Sequence, residues 1–335
     1  MSVKLNRPAI AHIDAWGFRN RNVPVQKPEN EIWIGLFGGS VAFSVASSSD
    51  ETTIAKYLEV ALTARAQVRK KIRVLNFALP GGQQPQQFVI YSMKTAILDG
   101  VITFDGINEV VVPAHYNRNA IPPDFPYRPF YEAFFAHGIT DEQRALQWLV
   151  ENEERQLEET SGLRRLITKR NRLRRIADLN ARLRATASPA EVEMRSVFPT
   201  MATADRGALV HAGADNWCHC LRAMHSLAKT AGADALYILQ PVPERGKRLT
   251  LSESCHLEEQ PDVIEIRALG YDALCRRREV VMRDGLRCVD FANVFAEHDE
   301  ELYVDLIHFN DEGCRLVAER MAGEIIASWN CVRAA

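Results

Sequence analysis

Apolar positions along the chain alternate between two patterns. Residues 32–37 (IWIGLF) form a continuous apolar run that stops at Gly38-Gly39. Such a run predicts a parallel strand buried on both faces. Residues 50–66 carry Ile54, Tyr57, Leu58 and Ala61 at helical spacing. Asp50 is the expected N-cap there, with Thr53 where a capping-box acid would stand. Residues 72–79 (IRVLNFAL) predict a second strand, halted by Pro80-Gly81-Gly82. A helix over 83–98 and a short third strand over 101–104 follow. Residues 233–239 and 287–291 predict the fourth and fifth strands, preceded by helices over 215–231 and 261–283. A last helix starts near Asn310-Asp311 and runs to Trp329. Strand–helix alternation predicts an α/β fold with a parallel sheet. Right-handed crossovers place helices on both faces, and ligands of such sheets bind at the carboxyl ends of the strands.

The stretch from 140 to 199 breaks the alternation. An acidic run from Glu151 to Glu159 is interrupted by Thr160-Ser161-Gly162 and followed by a basic run from Arg164 to Arg184. Leu163, Leu166, Leu173, Ile176 and Leu183 recur in the basic run near helical spacing. The pattern reads as a helical insertion, an antiparallel pair with partly compensating charge. A solvated face, a lid over the site and an anion-binding surface are the three uses open to it. At 335 residues the length suits one large domain or two modest ones, since domains run roughly 100–200 residues. The expectation is a single domain over 1–335, with 140–199 inserted in it.

Composition narrows the classes. Hydrophobic residues are 47% and charged residues 25%, which excludes a disordered or collagen-like chain. The formal net charge is −2, not the basic balance of many nucleic-acid binders, and no nucleic-acid partner is expected. No apolar run approaches the roughly 18–20 residues of a membrane span. The first residues lack the apolar core of a signal peptide, so the expected location is the cytoplasm. The seven cysteines have no framework spacing and are expected to be reduced. His211, Cys218, His219, Cys220 and His225 hint at a metal. However, positions 211, 218 and 225 lie about 10 Å apart along a helix, too far to share one ion. No metal and no cofactor are expected.

Polar residues follow the strands. Ser40 comes after a strand and two glycines, where a hydroxyl is exposed beside unpaired backbone N–H groups. Gly81 lets backbone approach a substrate and donate an N–H. Asn108, after the third strand, can aim its amide into a cleft, as an oxyanion hole requires. Asp305 and His308 precede the last helix, three residues apart. That spacing lets the carboxylate reach imidazole Nδ1–H and leaves Nε2 free as a base. Taken alone, each of these segments also reads as an ordinary turn or cap.

The order Gly-Gly-Ser40, Pro-Gly81, Gly-x-Asn108 and Asp305-x-x-His308 resembles the SGNH (GDSL-type) hydrolase superfamily, here like a bacterial serine esterase. The resemblance runs from residue 32 to 329 apart from the insertion, and Asp-x-x-His-Phe-Asn-Asp-Glu-Gly is its most specific part. The segment 14–19 (DAWGFR) resembles the lead-in of many bacterial members. The sequence departs from the family pattern at Gly39, in place of the GDS aspartate, and at Glu109, in place of the G-x-N-D aspartate.

The resemblance implies a flavodoxin-like three-layer α/β/α sandwich with about five parallel strands. It implies ester hydrolysis, with Ser40 as nucleophile, His308 as general base and Asp305 orienting it. The N–H groups of Ser40 and Gly81 and the Asn108 amide would form the oxyanion hole. The expected substrate is an O-acyl ester, O-acetyl included, of a polar small molecule or carbohydrate. His115, Tyr116 and Arg118 are candidate substrate contacts. Acyl transfer at the same serine and a non-catalytic scaffold are the alternatives.

Overall fold

The computed structural model describes residues 11–21, 23–24, 26–116, 149–150, 153, 172–182, 205–258 and 260–333. By backbone contacts the chain divides into two units, Met1–Pro126 with Met201–Ala335, and Tyr127–Thr200.

In the first unit the apolar run becomes β1, Glu31–Gly38, buried at every position. It pairs in parallel with β2 (Lys71–Asn76) on one side and β3 (Gly100–Asp105) on the other. β4 (Asp234–Leu239) and β5 (Cys288–Asp290) extend the sheet beyond β3. The order is β2-β1-β3-β4-β5, the flavodoxin-like order. Alternate side chains feed two cores, as the two-residue period of a strand requires. Trp33, Phe37, Val101 and Tyr237 enter one. Ile32, Ile34, Leu36, Ile102 and Ile238 enter the other.

Helices cover both faces. On the Ile34 side lie α2 (Ile54–Arg65) and the last helix, α8 (Asp311–Ser328), which contribute Leu58, Leu62, Val317 and Met321. On the Trp33 side lie α3 (Gln84–Lys94), α5 (Arg206–Ala231) and α7 (Pro261–Arg283), contributing Tyr91, Trp217 and Leu274. Two short helices start at strand ends: α1 (Ser40–Phe43) after β1 and α4 (Ile107–Val111) after β3. The unit is a three-layer α/β/α sandwich. Among the described residues no helix is long and apolar enough to cross a membrane.

Three elements differ from the sequence reading. Thr53, not Asp50, caps α2, accepting from Lys56 N, while Asp50 opens a separate 3-10 turn. Its carboxylate serves His12 and Arg19 instead, so a distant partner displaces a local cap. β2 ends at Asn76 because the Asn76 side chain turns back and accepts from Ala78 N. The stretch after β4, where the sequence reading places no helix, contains α6, Leu251–Glu258. In the second unit, residues 172–182 are helical, and Glu153 accepts from Arg172 at 2.9 Å and from Arg175 at 3.2 Å.

Candidate active site

The sheet order reverses direction at β1, so the turns after β1 and β3 open the crevice where α/β sheets bind ligands. Ser40 is the first residue of α1, directly after the β1 turn. As the first helical residue it has a backbone N–H without an intrahelical acceptor. Arg19 fixes the far end of this turn. It is buried, donates from Nη1 to the Phe43 and Ser44 carbonyls, and pairs through Nε with Asp50. Ser44 takes a left-handed φ of 61° to end the helix, and its hydroxyl accepts from Ile54 N.

His308 reaches the serine from the other side of the crevice. Its Nε2 lies 2.7 Å from Ser40 Oγ and its Nδ1 2.7 Å from Asp305 Oδ2. The other carboxylate oxygen, Asp305 Oδ1, accepts the backbone N–H of Ile307 and His308. Burial works against the Asp305 charge, but the hydrogen bond and charge of His308 outweigh it and hold the carboxyl down at about 2. Asp305 is therefore ionised throughout the neutral range, which sets the tautomer with the proton on Nδ1 and the lone pair on Nε2 facing the serine. The Asp305–His308 loop closes on itself through Val304 N to His308 O and Asn310 N to Leu302 O. Phe309 anchors it among Phe295 and Tyr303. Asn310 caps α8 by accepting from Gly313 N. Asp311 accepts from Ser48 N and Ser48 Oγ, tying the His308 loop to the chain beyond α1.

No family model matches the sequence, and no curated protein matches it either. Several solved structures are similar to it. A lipase/acylhydrolase from Enterococcus faecalis is 14% identical, with a TM-score of 0.41, over 88% of this chain and 96% of that one. The acetyl xylan esterase AlAXEase is 12% identical, with a TM-score of 0.42, over 88% of this chain and all of its own. Est24, a carbohydrate acetylesterase from Sinorhizobium meliloti, is 9% identical, with a TM-score of 0.43, over 88% of this chain and 99% of that one.

The remaining donors converge on the same strand ends. Asn108 lies in α4, and its Nδ2 donates to Gly82 O at 3.0 Å, bridging the turns after β3 and β2. Gln83 Nε2 returns the bridge by donating to Asn108 O. Gly82 N is spent on Leu79 O. Gly81 stands in the same turn with φ +74°.

Behind Asn108 lies a buried acid pair. Asp105 accepts from Trp217 Nε1 at 2.8 Å and from Gln84 Nε2. Glu109 accepts from Gly106 N at 2.9 Å. Burial raises the Asp105 carboxyl to about 7, against the hydrogen bonds of Trp217 and Gln84. Burial, and then the charge of Asp105, pushes Glu109 well above the usual carboxylate range. Burial thus favours the protonated form of both carboxyls, and Glu109 caps the α4 turn by accepting the Gly106 N–H.

His115 and Tyr116 end a π-helical turn, Val112–Tyr116, and their side chains lie outside the described residues, as does Arg118. The sequence reading missed Arg19, although it sits inside the DAWGFR segment. It also missed the buried Arg267 and Lys247 that flank the His308 loop. Arg19 and Lys247 lie in loop segments with no periodic signal, whereas Arg267 is a charge on the buried face of α7, between Val263 and Tyr271, and that break in the apolar stripe is the signal that marks it.

Proposed function

We propose that the chain is a serine esterase of the SGNH type, cleaving an O-acyl ester of a polar small molecule or carbohydrate through an acyl-serine intermediate. The observation that carries this reading is the unbroken chain Ser40 Oγ–His308 Nε2, His308 Nδ1–Asp305 Oδ2, both links at 2.7 Å. A serine hydroxyl is a weak nucleophile until an adjacent base takes its proton.

His308 Nε2 removes the Ser40 proton as Oγ attacks the acyl carbonyl. The negative charge that develops on the carbonyl oxygen faces Ser40 N–H, Gly81 N–H and the Asn108 amide. The imidazolium, held by Asp305, then gives its proton to the departing alcohol oxygen, leaving an acyl-Ser40 ester. Water attacks that ester, again through His308, and releases the acid and free Ser40. His308 Nε2 is the single proton shuttle of this sequence, and its 2.7 Å approach to Ser40 Oγ supports that role.

The test is acid release from a panel of esters, acetyl to long-chain, with polar and sugar alcohols, by wild type and Ser40→Ala. The expected result is turnover by wild type and a loss of about 10⁴-fold or more in the variant. Equal turnover by both proteins refutes the reading. Acceptor-dependent consumption of ester without acid release would assign acyl transfer instead.

A further inference from the structure

The Asp305–His308 loop is gripped from outside by two buried ion pairs that the reaction itself does not use. Arg267, on α7, is 1% exposed. Its Nε and Nη2 donate to the two oxygens of Glu244, both at 2.6 Å, and its Nη1 donates to Leu306 O, also at 2.6 Å. Lys247 and Glu253 form the second pair, with both side chains fully buried. Glu253 Oε1 accepts the N–H groups of Leu302 and Tyr303 at 2.9 and 3.0 Å. Both pairs lie in the segment from β4 into α7.

The Arg267 contact falls on one particular peptide group. The Leu306 carbonyl belongs to the Leu306–Ile307 peptide, whose N–H is donated to Asp305 Oδ1 at 2.9 Å. That planar unit is therefore pinned at its oxygen by Arg267 and at its nitrogen by Asp305. Any rotation that frees the carbonyl also swings the N–H away from Asp305 and removes part of what orients the carboxylate toward His308. A fork of guanidinium donors on a carboxylate is rigid and planar, so Glu244 fixes where the third donor points. An ion pair this buried adds little stability over apolar side chains of similar volume.

We propose that Arg267, locked by Glu244, is a positioning residue: through the Leu306 carbonyl it sets the Asp305–His308 geometry and so the reach of His308 to Ser40. The proposal rests on the esterase reading of those three residues. Arg267 contacts no reacting atom, so its loss should act on kcat and spare KM.

The experiment is Arg267→Lys, which keeps the charge but not the fork with its third donor. Steady-state kinetics on the best ester is read together with the downfield proton resonance of His308 Nδ1–H, assigned by its absence in Asp305→Ala. The expected result is a kcat lower by about tenfold to a hundredfold, KM within about twofold, and a broadened or upfield-shifted resonance in a folded protein. Glu244→Gln, which loosens the fork without touching Arg267, should move both readouts in the same direction. A folded Arg267→Lys with wild-type kcat and an unchanged resonance overturns the proposal. So does loss of the fold in both variants, which would make the pair a determinant of folding. Failure of the esterase reading shows separately, as wild-type turnover that is absent or independent of Ser40, whereas the resonance still reports on the loop.

Discussion

A Cβ on Gly39 would lie 2.3 Å from Asn108 Nδ2 and 3.4 Å from Gly82 O. The glycine is what lets the Asn108 amide pack directly against the turn that carries Ser40. Its departure from the GDS pattern is therefore tied to where Asn108 sits. With Asn108 in the proposed oxyanion role, Gly39→Ala and Asn108→Ala should each lower kcat by about 10²–10³-fold, the usual cost of one such donor. The double variant should be little worse than either single one, because both changes remove the same donor. Additive losses in a double-mutant cycle would separate the two residues and contradict this account.

The buried acid pair makes a second prediction at the level of side chains. Asp105 titrates at about 7 in the fold against an ordinary value near 3.8. The native state thus binds more protons than the unfolded chain between those values, and stability falls as pH rises through that window. Asp105→Asn removes one of the two raised carboxyls. Among the described residues Gln84 Oε1 has no partner, so a turned Gln84 amide can accept from the new Asn NH₂. Urea unfolding from pH 4 to 7 should show a flatter stability profile for Asp105→Asn than for wild type. Parallel profiles would place the titration elsewhere.

Elements were legible in the sequence where an apolar pattern alone decides them. β1 and β3 are continuous apolar runs, and α7 and α8 fall where the amphipathic spacing puts them. The site was legible for the same reason: Ser40, Asn108, Asp305 and His308 follow strands or precede a helix, where topology brings polar residues together. What stayed hidden depends on partners far away in the chain. Asp50 looks like a cap until Arg19, 31 residues distant, claims it. α6 was missed because Glu253 is its one buried residue, so no apolar stripe marks it. Arg19 itself grips the α1 turn through two carbonyls. Arg19→Met should leave Asp50 without its buried partner and lower stability by about 3–5 kcal/mol, read from denaturant unfolding. A change under about 1 kcal/mol would show that the cap is dispensable.

Across the first unit, the sheet order places the Ser40 turn and the Asn108 turn on either side of the point where the strands reverse order. The His308 loop approaches from the start of α8. Several carboxylates sit low in the fold. Glu31 is held at about 2 by Arg73 against the cost of burial. Glu253, despite its burial, is held at about 2 by Lys247 and backbone N–H groups. Asp305 behaves alike. A carboxyl depressed in the fold stabilises it above the unfolded value, and that contribution is lost as pH falls through the folded value. Acid unfolding should therefore begin below about pH 4, with the His308 loop losing order as Glu253 and Asp305 protonate.

In the proposed reaction Ser40 is a nucleophile activated by His308. The most direct measurement is intact and peptide mass spectrometry after reaction with an alkyl fluorophosphonate, a reagent that traps activated serines irrespective of the natural ester. The account predicts one adduct per chain, on Ser40, abolished in Ser40→Ala and strongly slowed in His308→Ala. An unmodified protein, or an adduct on another residue that persists in Ser40→Ala, would contradict it.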